Sequence, residues 1–82
     1  MTRSEKIMAA FRSCRGLFPY RDFERLLLAL GYVLVKSGGG SSRKFYSEAQ
    51  GDLIMLHEPH DGVMRPGMVK RLQDHLDARG LL

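Results

Sequence analysis

In the stretch FERLLLALGYVLVKS, Phe23, Leu26, Leu27 and Leu30 stand at i, i+3, i+4 and i+7. That spacing puts four large apolar side chains on one stripe of a helix. Arg21, Asp22, Glu24 and Arg25 fill the other side. Gly31 stands where a left-handed residue closes a helix. Directly after it comes a short β-branched apolar run, YVLVKS, which predicts a strand over about residues 32–37. With only 82 residues, one small domain, the helix stripe and the strands have to share a single thin core.

The remaining elements follow from the same periods. Thr2 and Glu5 have the spacing of a capping box, and Ile7, Met8, Phe11 and Cys14 then recur at helical spacing, so a first helix is predicted over about 3–14. Gly16 and Pro19 in RGLFPY break it. GGG reads as a flexible link or wide turn, SRKFYS as a second strand, and EAQGD as a turn around Gly51. LIMLHE reads as a third strand, apolar enough to be buried on much of both faces. PHDGVMRPG reads as a loop, with Pro66 suited to the first turn of a helix whose inner stripe is Val69, Leu72 and Leu76. Gly80 ends that helix, and Leu81 and Leu82 are expected to fold back on its last turn. The order is α-α-β-β-β-α. Three consecutive strands with short links predict an antiparallel meander with helices on one face. The expectation is a two-layer α+β domain, an α-β-β-β-α double-stranded-RNA-binding-like fold with an extra N-terminal helix (residues 1–19) before a core over 20–82.

A net charge of +4 and a sequence pI near 9.6 hint at an anionic partner. Cys14 is the only cysteine, so neither an internal disulfide nor a Cys-based zinc site is available, and it is expected to pack on the first helix. The longest apolar run, Leu26 to Leu30, is far too short to cross a bilayer. The first residues carry Glu5 and no long apolar stretch, so no signal peptide is expected and the cytoplasm is the expected location.

A hairpin around EAQGD brings distant residues together. A turn centred near Gln50 pairs residues whose numbers sum to about 100, which places Arg43 across from His57, Phe45 from Met55 and Ser42 from Glu58. His57 and His60 then lie beside GGSSR. Such a cluster suits RNA. Cleaving RNA without a metal needs a base for the 2′-hydroxyl proton and an acid for the leaving oxygen, and histidine serves as both. Arg43 and Lys44 are placed to meet the phosphate charge. Backbone N–H groups of a Gly-rich approach come close to a phosphate, and Tyr46 or Phe45, whichever is outward, offers a stacking face. The candidate residues are thus His57, His60, Ser42 and Arg43 for catalysis, and Lys36, Ser41, Arg43, Lys44 and Tyr46 for RNA binding. Plainer readings stand beside these. His57 fits a buried histidine bonded to backbone, His60 a turn residue, and His75 a surface residue of the last helix without chemistry. The H-x-x-H spacing lacks a third ligand, so neither metal nor other cofactor is expected. No Gly-x-Ser-x-Gly elbow is present for a serine hydrolase.

Taken in order, FERLLLALGYVLV, GGGSSRKFY, LIMLHEPHDG and RPGMVKRLQDHLDARGLL resemble HicA toxins, the small toxins of HicA–HicB toxin–antitoxin pairs, over about residues 20–82. The resemblance implies a double-stranded-RNA-binding-like fold, metal-free endonucleolytic mRNA cleavage, and neutralisation by a HicB-like antitoxin. It does not carry every residue across. The family's usual histidine after Gly-Ser is absent here, where Gly40-Ser41 is followed by Ser42 and Arg43. A histidine entering from the opposite strand, His57 or His60, is expected to replace it. The alternative is a non-catalytic RNA-binding or protein-interaction module on the same scaffold.

Overall fold

A computed structural model describes residues 2–35, 40 and 42–82. The elements are α1 (Arg3–Ser13), β1 (Phe18–Pro19), α2 (Tyr20–Ala29), β2 (Val33–Val35), β3 (Ser42–Ser47), β4 (Asp52–His57), β5 (Val63–Met64) and α3 (Pro66–Ala78). β2, β3 and β4 form an antiparallel sheet in sequence order, as the meander requires, and the helices pack on one face of it. The strand expected over 32–37 is described for Val33–Val35; its last two positions lie outside the described residues.

The helix ends obey their local chemistry. Thr2 Oγ1 accepts a hydrogen bond from the Glu5 N–H at 3.2 Å and caps α1. Gly31 closes α2 with φ 97°, a conformation that a side chain would oppose. After α3 the Leu81 N–H returns to the Leu76 carbonyl at 3.0 Å, and Leu81 and Leu82 pack back on the core.

Two features differ from the sequence expectation. A second, two-stranded sheet pairs Phe18 with Met64 and Pro19 with Val63. Both segments read as breaks in the sequence, because two-residue strands carry no period. β4, expected to be buried on much of both faces, alternates instead: Asp52, Ile54 and Leu56 point inward while Leu53, Met55 and His57 are exposed. The helices cover only one face of the sheet, so every second residue of a central apolar run faces out. The open face therefore carries Val33, Val35, Tyr46, Leu53 and Met55.

The core joins all layers. Phe11, Phe18 and Phe23 are buried together, with ring centroids of Phe11 at 5.0 Å from Phe18, edge to face, and 5.1 Å from Phe23. The N-terminal helix is thus part of the core. Gln73 of α3 strengthens the join: its Nε2 donates to the carbonyls of Phe11 (2.7 Å) and Cys14 (2.8 Å) at the C-terminal end of α1. Cys14 packs half-buried against the same core.

One charged group lies inside. Asp52, 4% exposed, receives Arg79 Nη2 on Oδ1, and on Oδ2 both the Tyr32 hydroxyl at 2.6 Å and His75 Nε2 at 2.7 Å. The Arg79 guanidinium, ahead of the Tyr32 and His75 donors, holds the carboxyl well below the usual carboxylate range against the opposing effect of burial. The knot ties the C-terminal turn of α3 to the start of β4. No helix among the described residues is long and apolar enough to cross a membrane.

Candidate functional site

The β3–β4 ladder pairs Ser42 with His57, Arg43 with Leu56 and Lys44 with Met55. The expected pairing of Arg43 with His57 is therefore shifted by one residue, and in a sheet one residue exchanges the faces. Directly opposed residues share a face, so Ser42, Lys44, Tyr46 and His57 stand on the open side. Arg43 stands on the inner side with Leu56.

Arg43 is held there. Its Nη1 donates to the carbonyls of Gly40 (2.9 Å) and Ser42 (3.0 Å), and its Nε lies 3.2 Å from a carboxylate oxygen of Glu58. Consecutive residues of a strand leave on opposite faces, so the single basic face expected from Arg43 and Lys44 is not formed. Arg43 clasps the end of β3 to the residue after β4, while Lys44 stays on the open face beside Tyr46. Of the other expected RNA contacts, Lys36 and Ser41 lie outside the described residues.

The two histidines do come together. His57 and His60 line one cleft of about 460 Å³, with Glu58, Asp61, Arg65 and Met68 around it. The loop that carries His60 is well ordered by its own bonds. Gly62 takes φ 75° and its N–H reaches the Pro59 carbonyl at 3.1 Å, the Val63 N–H reaches Asp61 Oδ1 at 3.2 Å, and the Tyr20 N–H reaches the Gly62 carbonyl at 2.9 Å. The last bond pins the histidine loop to the first residue of α2. The bland alternative for His57, a buried histidine, does not hold, because its side chain is exposed.

Tyr20 stands behind this cleft with an unusual feature. Its ring is buried and its hydroxyl makes no hydrogen bond of ordinary geometry. Burial, then the nearby carboxylates of Glu24 and Glu58, push the phenol up to about 12, against the pull of Arg43.

Two groups escaped the sequence reading. Arg65 adds a cation to the histidine cleft, partnered by Asp61 at i−4; the turn-rich segment around it gave no period to reveal it. His75, read as a surface residue, is tied to buried Asp52. Only contact across 23 positions makes that pair, and no local pattern announces it. Among the described residues, no group of three or more His, Cys, Asp or Glu side chains is placed to hold a metal ion.

A family model described as HicA toxin of bacterial toxin-antitoxin matches residues 20–78, from the first residue of α2 to the last of α3. No curated protein and no solved structure matches the chain.

Proposed function

The chain belongs to the HicA toxin family, and we propose that it is a metal-independent endoribonuclease acting on mRNA and neutralised by a HicB-like antitoxin. The observation that carries this reading is the shared cleft of His57 and His60, with Ser42 directly opposite His57 in the ladder. The family's usual histidine after Gly-Ser is missing at that strand start, and the opposite strand supplies one there instead.

The chemistry needs two proton carriers and a cation. One histidine takes the proton of the ribose 2′-hydroxyl as O2′ attacks phosphorus. The other gives a proton to the departing 5′-oxygen as the P–O5′ bond breaks. The products are a 2′,3′-cyclic phosphate and a free 5′-hydroxyl. Arg65 at the cleft meets the phosphorane charge, Ser42 hydrogen-bonds a phosphate oxygen, and Lys44 and Tyr46 receive the strand on the open face. Ser41 and Lys36 flank the same approach in sequence. A HicB-like antitoxin covering this end competes for the same cations through acidic side chains.

A non-catalytic, protein-binding module is the second reading. It is favoured by the apolar open face, where Val33, Leu53 and Met55 are each about half exposed.

Incubating the purified chain with mRNA, with and without EDTA, tests the first reading. Cleavage that is unchanged by EDTA and suppressed by the antitoxin is expected. Intact RNA in every lane hands the case to the second reading. Lys44→Glu is expected to weaken antitoxin binding and reduce its salt dependence; unaltered binding at all salt concentrations removes the antitoxin from this face.

A further inference from the structure

Beside the middle of β4 there is a second, smaller cavity of about 240 Å³, lined by Leu53, Ile54, Met55, Arg71, Leu72 and His75. Its polar groups are specific. Arg71 and His75 are one helical turn apart on α3 and face the same cavity. Arg71 makes no ion pair among the described residues, whereas Lys70 beside it is taken by Asp74 at 2.9 Å. The acids Asp74 and Asp77 line a different cleft, with Arg12 and Leu82. Asp52, the remaining neighbour, already has Arg79 on its other oxygen.

His75 has one defined protonation pattern in its neutral form. Asp52 is held ionised and is an acceptor only, so His75 Nε2, 2.7 Å away, must be the donor. Nδ1 then carries the lone pair. It has no hydrogen-bond partner among the described residues, on a ring whose orientation the buried carboxylate fixes. The cavity therefore presents one guanidinium without an ion pair among the described residues and, on the neutral imidazole, one acceptor, beside the edge of β4 at Leu53, Ile54 and Met55. A guanidinium matches a phosphate, and an imidazole acceptor matches a ribose 2′-hydroxyl.

We infer that this cavity is a nucleotide subsite for single-stranded RNA, separate from the cleavage cleft: Arg71 holds a phosphate and His75 Nδ1 accepts from a 2′-hydroxyl. The inference rests on the ribonuclease reading and gives it a direction. The β4 residues of the cavity, Leu53 to Met55, stand two to four residues before His57, about 7–13 Å at a strand rise of about 3.3 Å per residue. That is about two to four nucleotides, at a stacked spacing of about 3.4 Å. Tyr46, Leu53 and Met55 lie along this path on the open face, and Lys44 stands beside them.

The test compares a fluorescent RNA decamer, long enough to span both sites, with a dinucleotide too short to bridge them. Arg71→Ala and His75→Gln are the variants, because glutamine keeps an N–H for Asp52 and removes the Nδ1 acceptor. Each is expected to weaken decamer binding about tenfold or more, the loss of one charge-assisted or buried hydrogen bond, and to raise KM on the decamer while leaving the cleavage of the dinucleotide unchanged. Arg71→Ala should also reduce the salt slope by about 0.7. A decamer with 2′-deoxyriboses should lose affinity for the unaltered chain and not for His75→Gln. Should His75→Gln melt early, Arg71→Ala decides alone, since Arg71 ties nothing down. Equal decamer binding by Arg71→Ala and the unaltered chain overturns the subsite while leaving the ribonuclease reading intact. Loss of antitoxin binding with RNA binding unchanged overturns it in favour of a protein-docking face. Failure of the unaltered chain to bind or cut either RNA overturns both.

Discussion

The Tyr32 hydroxyl donates to the Asp52 carboxylate at 2.6 Å, joining two residues twenty positions apart in the interior. Tyr32 follows Gly31 at the end of α2, and Asp52 opens β4. The bond fixes the sheet to the helix layer at one point. Removing Asp52 leaves a buried hydroxyl without a partner, at a cost of about 1–3 kcal/mol. His75 and Arg79 are about one third exposed and turn to water instead, so they add little. Asp52→Ala should therefore lower the stability read from urea titration by about 1–3 kcal/mol. In a domain of this size each kcal/mol moves Tm by about 4–8 °C. A variant as stable as the parent shows that the knot contributes nothing.

Acid should act through the same carboxylate. Asp52 is held well below the usual carboxylate range by Arg79 first, then by Tyr32 and His75. Its folded-state pKa is depressed, so its contribution is fully present above the unfolded value of about 3.9 and is lost as the pH falls below that. Melting curves from pH 5 down to pH 2 should fall more steeply for the parent than for Asp52→Asn, which has no proton to gain. Parallel curves contradict the assignment.

Two buried tyrosines should respond to the loss of a hydroxyl with opposite signs. Tyr20 has no hydrogen-bond partner of ordinary geometry, and Tyr32 has Asp52. Tyr20→Phe removes an unsatisfied buried group and should stabilise the chain by about 1 kcal/mol, whereas Tyr32→Phe removes a satisfied one and strands part of Asp52's pairing, costing about 1–2 kcal/mol. Both phenols are pushed up to about 12, each by burial first. A raised folded-state pKa gives stability that is present below the ordinary tyrosine value of about 10 and lost as the pH rises through about 12. Phenolate absorbance during alkaline titration should therefore show two tyrosines ionising late, together with unfolding.

The legible parts of this chain were those with a period. Phe23, Leu26 and Leu27 are all buried as their stripe demands, and Gly31 closes the helix with positive φ. β4 was less legible: Leu53, Ile54, Met55 and Leu56 are all apolar, so the alternation of faces is invisible in residue type. The register failed by one for a local reason. β3 ends at Ser47 and β4 begins at Asp52, leaving a four-residue turn in which Ser47 Oγ accepts from the Gln50 N–H at 3.2 Å and Gly51 takes φ 58°. Paired residues then sum to 99 and not to 100, as Ser42 with His57 illustrates. That single step put Ser42, and not Arg43, opposite His57. The histidine cleft survived the error because His57 ends its strand and His60 sits in the loop beyond, where face matters less than proximity. The Asp52 knot had no local sign, since its partners come from positions 32, 75 and 79.

His57 should matter more to the rate of RNA cleavage than to RNA affinity. It is placed at the end of β4, opposite Ser42, by ladder hydrogen bonds, and His60 by a loop that its own turn bonds organise. A lost general acid or base costs about 10²–10⁴-fold in rate, whereas affinity comes mostly from phosphate contacts. His57→Ala should thus cut the single-turnover rate by at least about 10²-fold with RNA binding nearly unchanged. His60→Ala should do less, because a loop side chain is held less firmly than one fixed by a strand. EDTA should leave the parent rate as it is, and the cut end should carry a 2′,3′-cyclic phosphate or its hydrolysed form. Full activity in the His57→Ala, His60→Ala double variant would exclude histidine catalysis from this cleft. A parent that binds RNA without cutting it would assign the same cleft to binding alone.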